Sequence, residues 1–195
     1  MSRASTQVLI DRIPIARNVL TDAIWVVTFS LVTAICAQVS FHLPFSPVPI
    51  TGQTFAVLLS GAVLGWRRGF LCQVVYLLEG AAGLPVFADG TGSIIHLIGP
   101  SGGFLLAFPV AAALVGLFVE FGVARSAWKL AGALLSADIL ILFAGSVWLH
   151  FLFHVSFAQA WVMGFFPFLV ADLAKVALVG GSLPRALRWF DLLNK

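Results

Sequence analysis

Long apolar runs separated by short polar gaps organise this chain. Six stand out: Ala23–Phe41, Thr54–Trp66, Phe70–Leu84, Gly102–Val123, Leu130–Leu149 and Trp161–Leu183. None alternates with the two-residue period of a barrel strand, and all are too long for one, so each predicts an α-helix. The fold class that follows is an all-α integral membrane protein. It is a single membrane domain over residues 1–195, with six transmembrane helices and short cytoplasmic tails.

Two of these helices are short. At 1.5 Å per residue Thr54–Trp66 spans about 20 Å, against a hydrocarbon core of about 30 Å. The neighbouring loops are themselves apolar and rich in Pro and Gly: residues 41–53 read FHLPFSPVPITGQ and residues 84–103 read LPVFADGTGSIIHLIGPSGG. Irregular backbone at membrane depth persists only where protein or a cavity covers it. The pattern predicts apolar outer loops that roof a ligand pocket in the outer half of the bundle.

The basic residues set an orientation. Ten of the eleven Lys and Arg fall in the N-terminal segment, at Arg67 and Arg68, at Arg125 and Lys129, and at the C-terminal end. The intervening loops at about 42–53, 85–101 and 150–160 have none. By the positive-inside rule both termini are cytoplasmic. The net charge of +3 thus reflects topology in the cell membrane, and no nucleic-acid partner is expected. Residues 1–21 carry scattered charges and no compact apolar core, so no cleavable signal peptide is expected.

Composition narrows the class further. Hydrophobic residues make up 61% and charged residues 10% of the 195 positions, against roughly 45–50% and 25% in soluble domains. A soluble enzyme, a disordered chain and a coiled coil are excluded. Cys36 and Cys72 fall toward opposite membrane faces, so no disulfide is expected. Gly61, Gly65 and Gly69 repeat every four residues and predict a close-packing face on the second helix. Ser30 with Ala34, and Thr33 with Ala37, make similar faces on the first helix. There, packing within the chain and docking onto another membrane protein stand as alternatives.

Asp172 and Lys175 are the strongest chemical signal. Three residues apart in the last helix, they share a face, and ionisable groups at this depth mark functional sites. Lys175 leans toward its helix N-terminus, up to the level of Asp172 and into the inferred pocket. Glu79 and Asp138 are further intramembrane carboxylates, for which an interhelical bond and a ligand role are equally good readings. His150 and His154 have the spacing of metal ligands on one helical turn but no acidic or thiol neighbours in sequence. They read as interfacial histidines. Gly99–Gly103 is Gly-rich yet lacks the spacing and the lysine of a nucleotide loop. It reads as a turn whose backbone N–H groups, at Gly102 and beyond, meet a polar ligand. No nucleotide motif and no nucleophile set occurs, so an enzyme is not expected, nor any cofactor or metal. ATP hydrolysis, if transport needs it, must come from another chain.

Four segments carry a resemblance. PFSPVPITGQTFAVLLSGAVLG (44–65), GAAGLPVFADGTG (80–92), GPSGGFLLAF (99–108) and the pair Asp172-x-x-Lys175 resemble the biotin transporter substrate-binding subunit, the BioY family, collinearly over about residues 20–185. The resemblance implies a six-helix S component of an energy-coupling-factor (ECF) transporter. Such a subunit binds biotin from outside and works with a transmembrane T component and two ABC ATPase subunits. It implies that Asp172 and Lys175 form the biotin-binding pair, that Asp89 contacts ligand, and that Phe104 stands at an aromatic position that can be Tyr in relatives. The family's A-x-x-x-A docking motif is present only approximately, as Ser30 with Ala34. Biotin has two ureido N–H donors, one carbonyl and a carboxylate tail on an otherwise apolar frame. Asp172 suits an N–H, Lys175 suits the carbonyl or the carboxylate, and Gln53 and Thr51 could add donors. The alternatives are a solitary transporter that self-associates, an S component for a different vitamin, a channel or a membrane enzyme.

Overall fold

The computed structural model describes residues 8–12 and 18–193, without the side chains of residues 12, 186–188 and 190–193. Arg3, Arg17 and Lys195, and the side chains of Arg12 and Arg188, lie outside the described residues, so half of the basic residues used above to set the orientation are not placed. Among those described there are eight α-helices: α1 (Val19–Ala37), α2 (Gln53–Leu64), α3 (Trp66–Ala81), α4 (Ile94–Ile98), α5 (Gly102–Glu120), α6 (Ala127–Phe153), α7 (Phe157–Gly164) and α8 (Phe166–Leu193). Four stretches are long and apolar enough to cross a membrane: α1, α5, α6, and α7 with α8 taken together as Phe157–Arg185. α2 is apolar but shorter.

The helix at the centre is α5, which packs on α2, α3 and α6. Two-thirds (67%) of its apolar stretch is buried, against 22% for α1 at the periphery. The outside is apolar too. Ile24, Leu31 and Ile35 of α1, Val110 of α5, Phe143 of α6 and Leu178 of α8 are all exposed. A surface of this kind is stable facing lipid chains rather than water.

Several boundaries differ from the sequence reading. The first helix starts four residues earlier, because Asn18 and Thr21 form a reciprocal cap at its N-terminus. The last predicted helix is two, broken at Phe165 (φ −113°, ψ −68°). Pro167 explains the break: it has no N–H to donate and fits only a first turn, where it now stands in α8. Pro184 does not end α8, which runs on to Leu193.

The glycine repeat is also divided differently. Gly65 is no part of a helix face. At φ +83° it is the single residue between α2 and α3, a backbone state that glycine alone adopts readily. Gly61 and Gly69 do allow close approach: a Cβ on Gly61 would lie 2.2 Å from the Ala112 carbonyl oxygen of α5. At this tight hairpin Glu120 Oε1 accepts the Trp66 N–H at 3.0 Å, capping α3. Arg68 binds Asp11 of the Leu9–Arg12 turn at 2.9 Å and Asp22 of α1 at 2.8 Å. The polar gap at Arg67 and Arg68 between two apolar runs is therefore the first turn of α3.

The small residues of α1 point inward. Ser30 and Thr33 are fully buried, and the Ser30 hydroxyl donates to Glu79 Oε1 of α3 at 3.0 Å. Of the two alternatives for these residues, packing within the chain is the one the fold shows, and Val19, Leu20, Ile24, Val27, Leu31 and Ile35 make the outward face.

Candidate functional site

At the end of the bundle opposite the Gly65 hairpin, the chain between helices is irregular but ordered. Ser40–Phe41 pairs antiparallel with Ile50–Thr51. Phe87 pairs with Thr91 across a turn in which Asp89 (φ 59°) and Gly90 (φ 67°) are left-handed, a conformation Asp tolerates better than most residues. Ser93 caps the short α4. These segments and the N-terminal ends of α2, α5 and α8 enclose a cavity of about 320 Å³. That is the low end of the range for small-molecule sites.

The walls are mainly apolar: Val48, Phe87, Phe104, Leu105, Phe108, Leu142 and Phe168. Phe104 stacks on Phe168 with ring centroids 5.5 Å apart. Glycines set these rings in place. A Cβ on Gly145 would lie 2.3 Å from Phe104, and one on Gly80 would lie 2.0 Å from Phe87.

The polar floor lies where α8 meets α2. Lys175 Nζ donates to the Thr51 carbonyl at 2.6 Å, to Thr54 Oγ1 at 2.8 Å and to Asp172 Oδ1. Thr54 in turn donates to Asp172 Oδ1 at 2.8 Å. The ammonium has three protons and all three are engaged, so Lys175 is no free donor as the sequence reading had it. Asp172 is 1% exposed, and its Oδ2 is buried with no hydrogen-bond partner. That oxygen is the unsatisfied acceptor on the floor.

The other predicted site residues fall out unequally. Thr51 and Gln53 line the cavity but are tied to each other, Thr51 Oγ1 donating to Gln53 Oε1 at 2.8 Å. Gln53 Nε2 donates to Tyr76 Oη at 2.5 Å, and Tyr76 donates to the Val86 carbonyl at 3.0 Å. The pair braces the entry of α2 against the 85–92 segment. Asp89 lines the mouth, where Oδ1 accepts from Ser40 at 2.5 Å and Oδ2 lies 3.1 Å from His42 Nε2. Phe104 lines the wall. Gly102 does not line the cavity: its N–H bonds the Gly99 carbonyl at 3.0 Å, and a Cβ there would lie 2.1 Å from the Leu97 oxygen. It is a packing glycine, and the reading of its N–H as a ligand donor is corrected. Gly99, Pro100 and Ser101 line the cavity in its stead.

His150 lies in the last turn of α6 and His154 at its C-terminal cap. His150 Nδ1 is 2.5 Å from the Val155 oxygen and its ring stacks on Phe157, while His154 ends α6 in the left-handed region. Sequence reasoning missed Thr54, His96 and Phe168 as lining residues. Phe168 was within reach: it precedes Asp172 by four residues and so shares its helical face. Thr54 repeats the three-residue spacing from Thr51, but its link to Asp172 spans 118 positions and left no local trace.

Comparison with known proteins decides the family. The BioY family profile matches residues 5–191. The chain belongs to the BioY family. It is 40% identical over 152 residues to a probable biotin transporter BioY of Pyrococcus horikoshii, covering 78% of this chain and 87% of that one. It is 39% identical over 165 residues to biotin transporter BioY2 of Lactococcus lactis, covering 81% and 88%. The crystal structure of an S-component for biotin from an ECF-type ABC transporter superposes with a TM-score of 0.81 at 24% identity, over 91% of this chain and 98% of that one. The last match carries the fold. Together they place the chain among transporters rather than enzymes.

Proposed function

We propose that this protein is the biotin-binding S component of an ECF-type transporter and takes up the vitamin through the cavity described above. One observation carries the reading: a compact, largely apolar cavity whose floor is a buried Asp172–Lys175–Thr54 cluster with one acceptor, Asp172 Oδ2, unmet. Biotin matches that arrangement in kind, since its ureido N–H groups need a buried acceptor and its bicyclic frame needs apolar walls. The biotin-transporter names of the relatives support the same substrate.

In this reading Asp172 takes a ureido N–H, and Lys175 fixes Asp172 and holds α2 through Thr51 and Thr54. A ligand carbonyl or carboxylate reaches Lys175 by exchanging for the Thr51 oxygen. Phe104 and Phe168 face the bicyclic frame, and Asp89 stands at the mouth. The closed end faces the cytoplasm with both termini, and the cavity opens outward. The chain carries no nucleotide motif, so a T component and two ABC ATPases supply the energy, or self-association serves in a solitary form. The site calls for no cofactor or metal.

Labelled biotin should bind purified protein saturably without partner subunits, and ATP should not be hydrolysed. Failure to bind under conditions where the protein is folded would sink the proposal. Orientation is checked separately in a chain with Cys36 and Cys72 replaced. Ala158→Cys should react with an impermeant thiol reagent from outside the cell and Lys129→Cys only after the membrane is opened; the reverse pattern would invert the topology.

A further inference from the structure

One hydrogen-bond chain runs from the wall of the cavity to its floor through a residue that lines neither. Tyr76, in α3, is fully buried and is not among the residues that line the cavity. Its ring meets Phe87, which does line it, edge to face with centroids 5.5 Å apart. Its hydroxyl stands between two partners. Tyr76 Oη donates to the Val86 carbonyl at 3.0 Å and accepts from Gln53 Nε2 at 2.5 Å. Gln53 Oε1 accepts the Thr51 hydroxyl at 2.8 Å, and the Thr51 carbonyl accepts from Lys175 Nζ at 2.6 Å. Lys175 in turn binds Asp172 Oδ1.

The direction of this chain is forced. A carbonyl can only accept, so the single phenol proton goes to Val86. The phenol oxygen then needs a donor, and the Gln53 amide turns its N–H toward it. That leaves the amide oxygen facing Thr51, whose hydroxyl must donate. Reversing any link sets two acceptors or two donors face to face in a buried place, which costs the full desolvation of both. Phenylalanine at position 76 would fill the same space against Phe87. It would leave the Val86 carbonyl and one Gln53 N–H unmet, and the amide would be free to turn.

We infer that Tyr76 is a positioning residue for the binding site: its one hydroxyl proton orients Gln53 and Thr51 and so holds the wall at Val86 and Phe87 in register with the Lys175–Asp172 floor. Tyr76 touches no ligand. It raises the fraction of ligand-free molecules in which wall and floor already stand as binding requires, and apparent affinity scales with that fraction. The effect on affinity rests on the biotin reading; the hydrogen-bond chain does not.

The test has two arms, both on full-length protein in lipid nanodiscs. Tyr76 is the chain's one tyrosine, so tyrosine labelled with carbon-13 at Cζ gives a single NMR resonance at its hydroxyl-bearing carbon. Thr51→Val cannot donate to Gln53, and although it lies two links from Tyr76 it should move that resonance in ligand-free protein. An unmoved resonance would overturn the inference. Labelled biotin should bind Tyr76→Phe and Thr51→Val each about tenfold more weakly than wild type. The double variant should bind within about threefold of the weaker single one, because a chain broken once has little more to lose. A folded Tyr76→Phe that binds as wild type does would overturn the inference, and so would losses that multiply in the double variant. Should Tyr76→Phe fail to fold, Thr51→Val decides alone, and wild-type affinity has the same consequence. If wild type itself binds no biotin, the ligand reading fails and the resonance alone decides the chain.

Discussion

The two ends of this bundle handle polar groups in opposite ways. At the hairpin end Glu120 and Arg68 have local tasks near the surface. Glu120 caps α3, and Arg68 joins Asp11 and Asp22 with side chains that are partly exposed. The backbones there approach closely, with Gly61 against Ala112 and Gly65 compressed into a one-residue turn. At the cavity end the helices stop short and loops complete them. Asp172 lies buried there beside the partly buried Lys175, with an acceptor atom left over. Buried, incompletely satisfied groups are costly, and a fold retains them where they meet something else. The difference teaches where stability and recognition are separately invested: one end closes the bundle and the other holds the site.

The largest expected effect comes from the cavity floor. Asp172→Asn and Lys175→Ala should each weaken biotin binding by about 30- to 5000-fold, since truncating one partner of a buried charge pair costs about 2–5 kcal/mol. Asp172→Asn presents an N–H to Lys175 or to the ureido donor. Lys175→Ala frees Asp172 and releases the start of α2. The two losses should be non-additive because each residue orients the other. Equilibrium dialysis with labelled biotin measures this; additive losses would mean that the residues act separately.

The hairpin end should respond in stability and not in affinity. Gly61→Leu places a side chain where even a Cβ meets the Ala112 oxygen at 2.2 Å. It should lower stability by about 1–3 kcal/mol or more, seen as an earlier thermal transition in detergent. The fraction that stays folded should bind biotin within about threefold of wild type. A well-folded Gly61→Leu protein with strongly reduced binding would erase the division between the ends. Arg68→Ala should do least. Its ion pairs are partly exposed, so the loss is about 0–1 kcal/mol with unchanged affinity.

How far the sequence announces this division differs by element. The apolar runs and the Asp172–Lys175 spacing are local patterns and could be read directly. The Gly65 hairpin could not. Glycines four apart signal a packed helix face, and only the approach of Glu120, 55 positions on, distinguishes a turn. Pro167 did mark the break before α8, but in an apolar run a proline is also compatible with an unbroken membrane helix. The turn Gly99–Gly103 resembles a ligand cradle in composition. Its role is set by Leu97 and Trp148, against which Gly102 and Gly103 pack. Inward and outward faces of α1 were indistinguishable because lipid and protein interior are equally apolar; Glu79 on α3 decides it by bonding Ser30. The saturation of Lys175 was hidden for a similar reason, since two of its acceptors are more than 120 positions away.

The central claim is that the Asp172–Lys175 floor is where the ligand binds, and not merely an ion pair that holds α8 to α2. Replacing both together by Leu and Met removes the charges while keeping the volume, a change that a purely structural pair tolerates. The decisive measurement is equilibrium binding of labelled biotin to the purified wild type and to Asp172→Leu/Lys175→Met, each shown to be folded and monodisperse. The account predicts saturable binding of one biotin per wild-type chain and none by the double variant at the same concentrations. A folded double variant that binds biotin as the wild type does would contradict it and move the site away from α8.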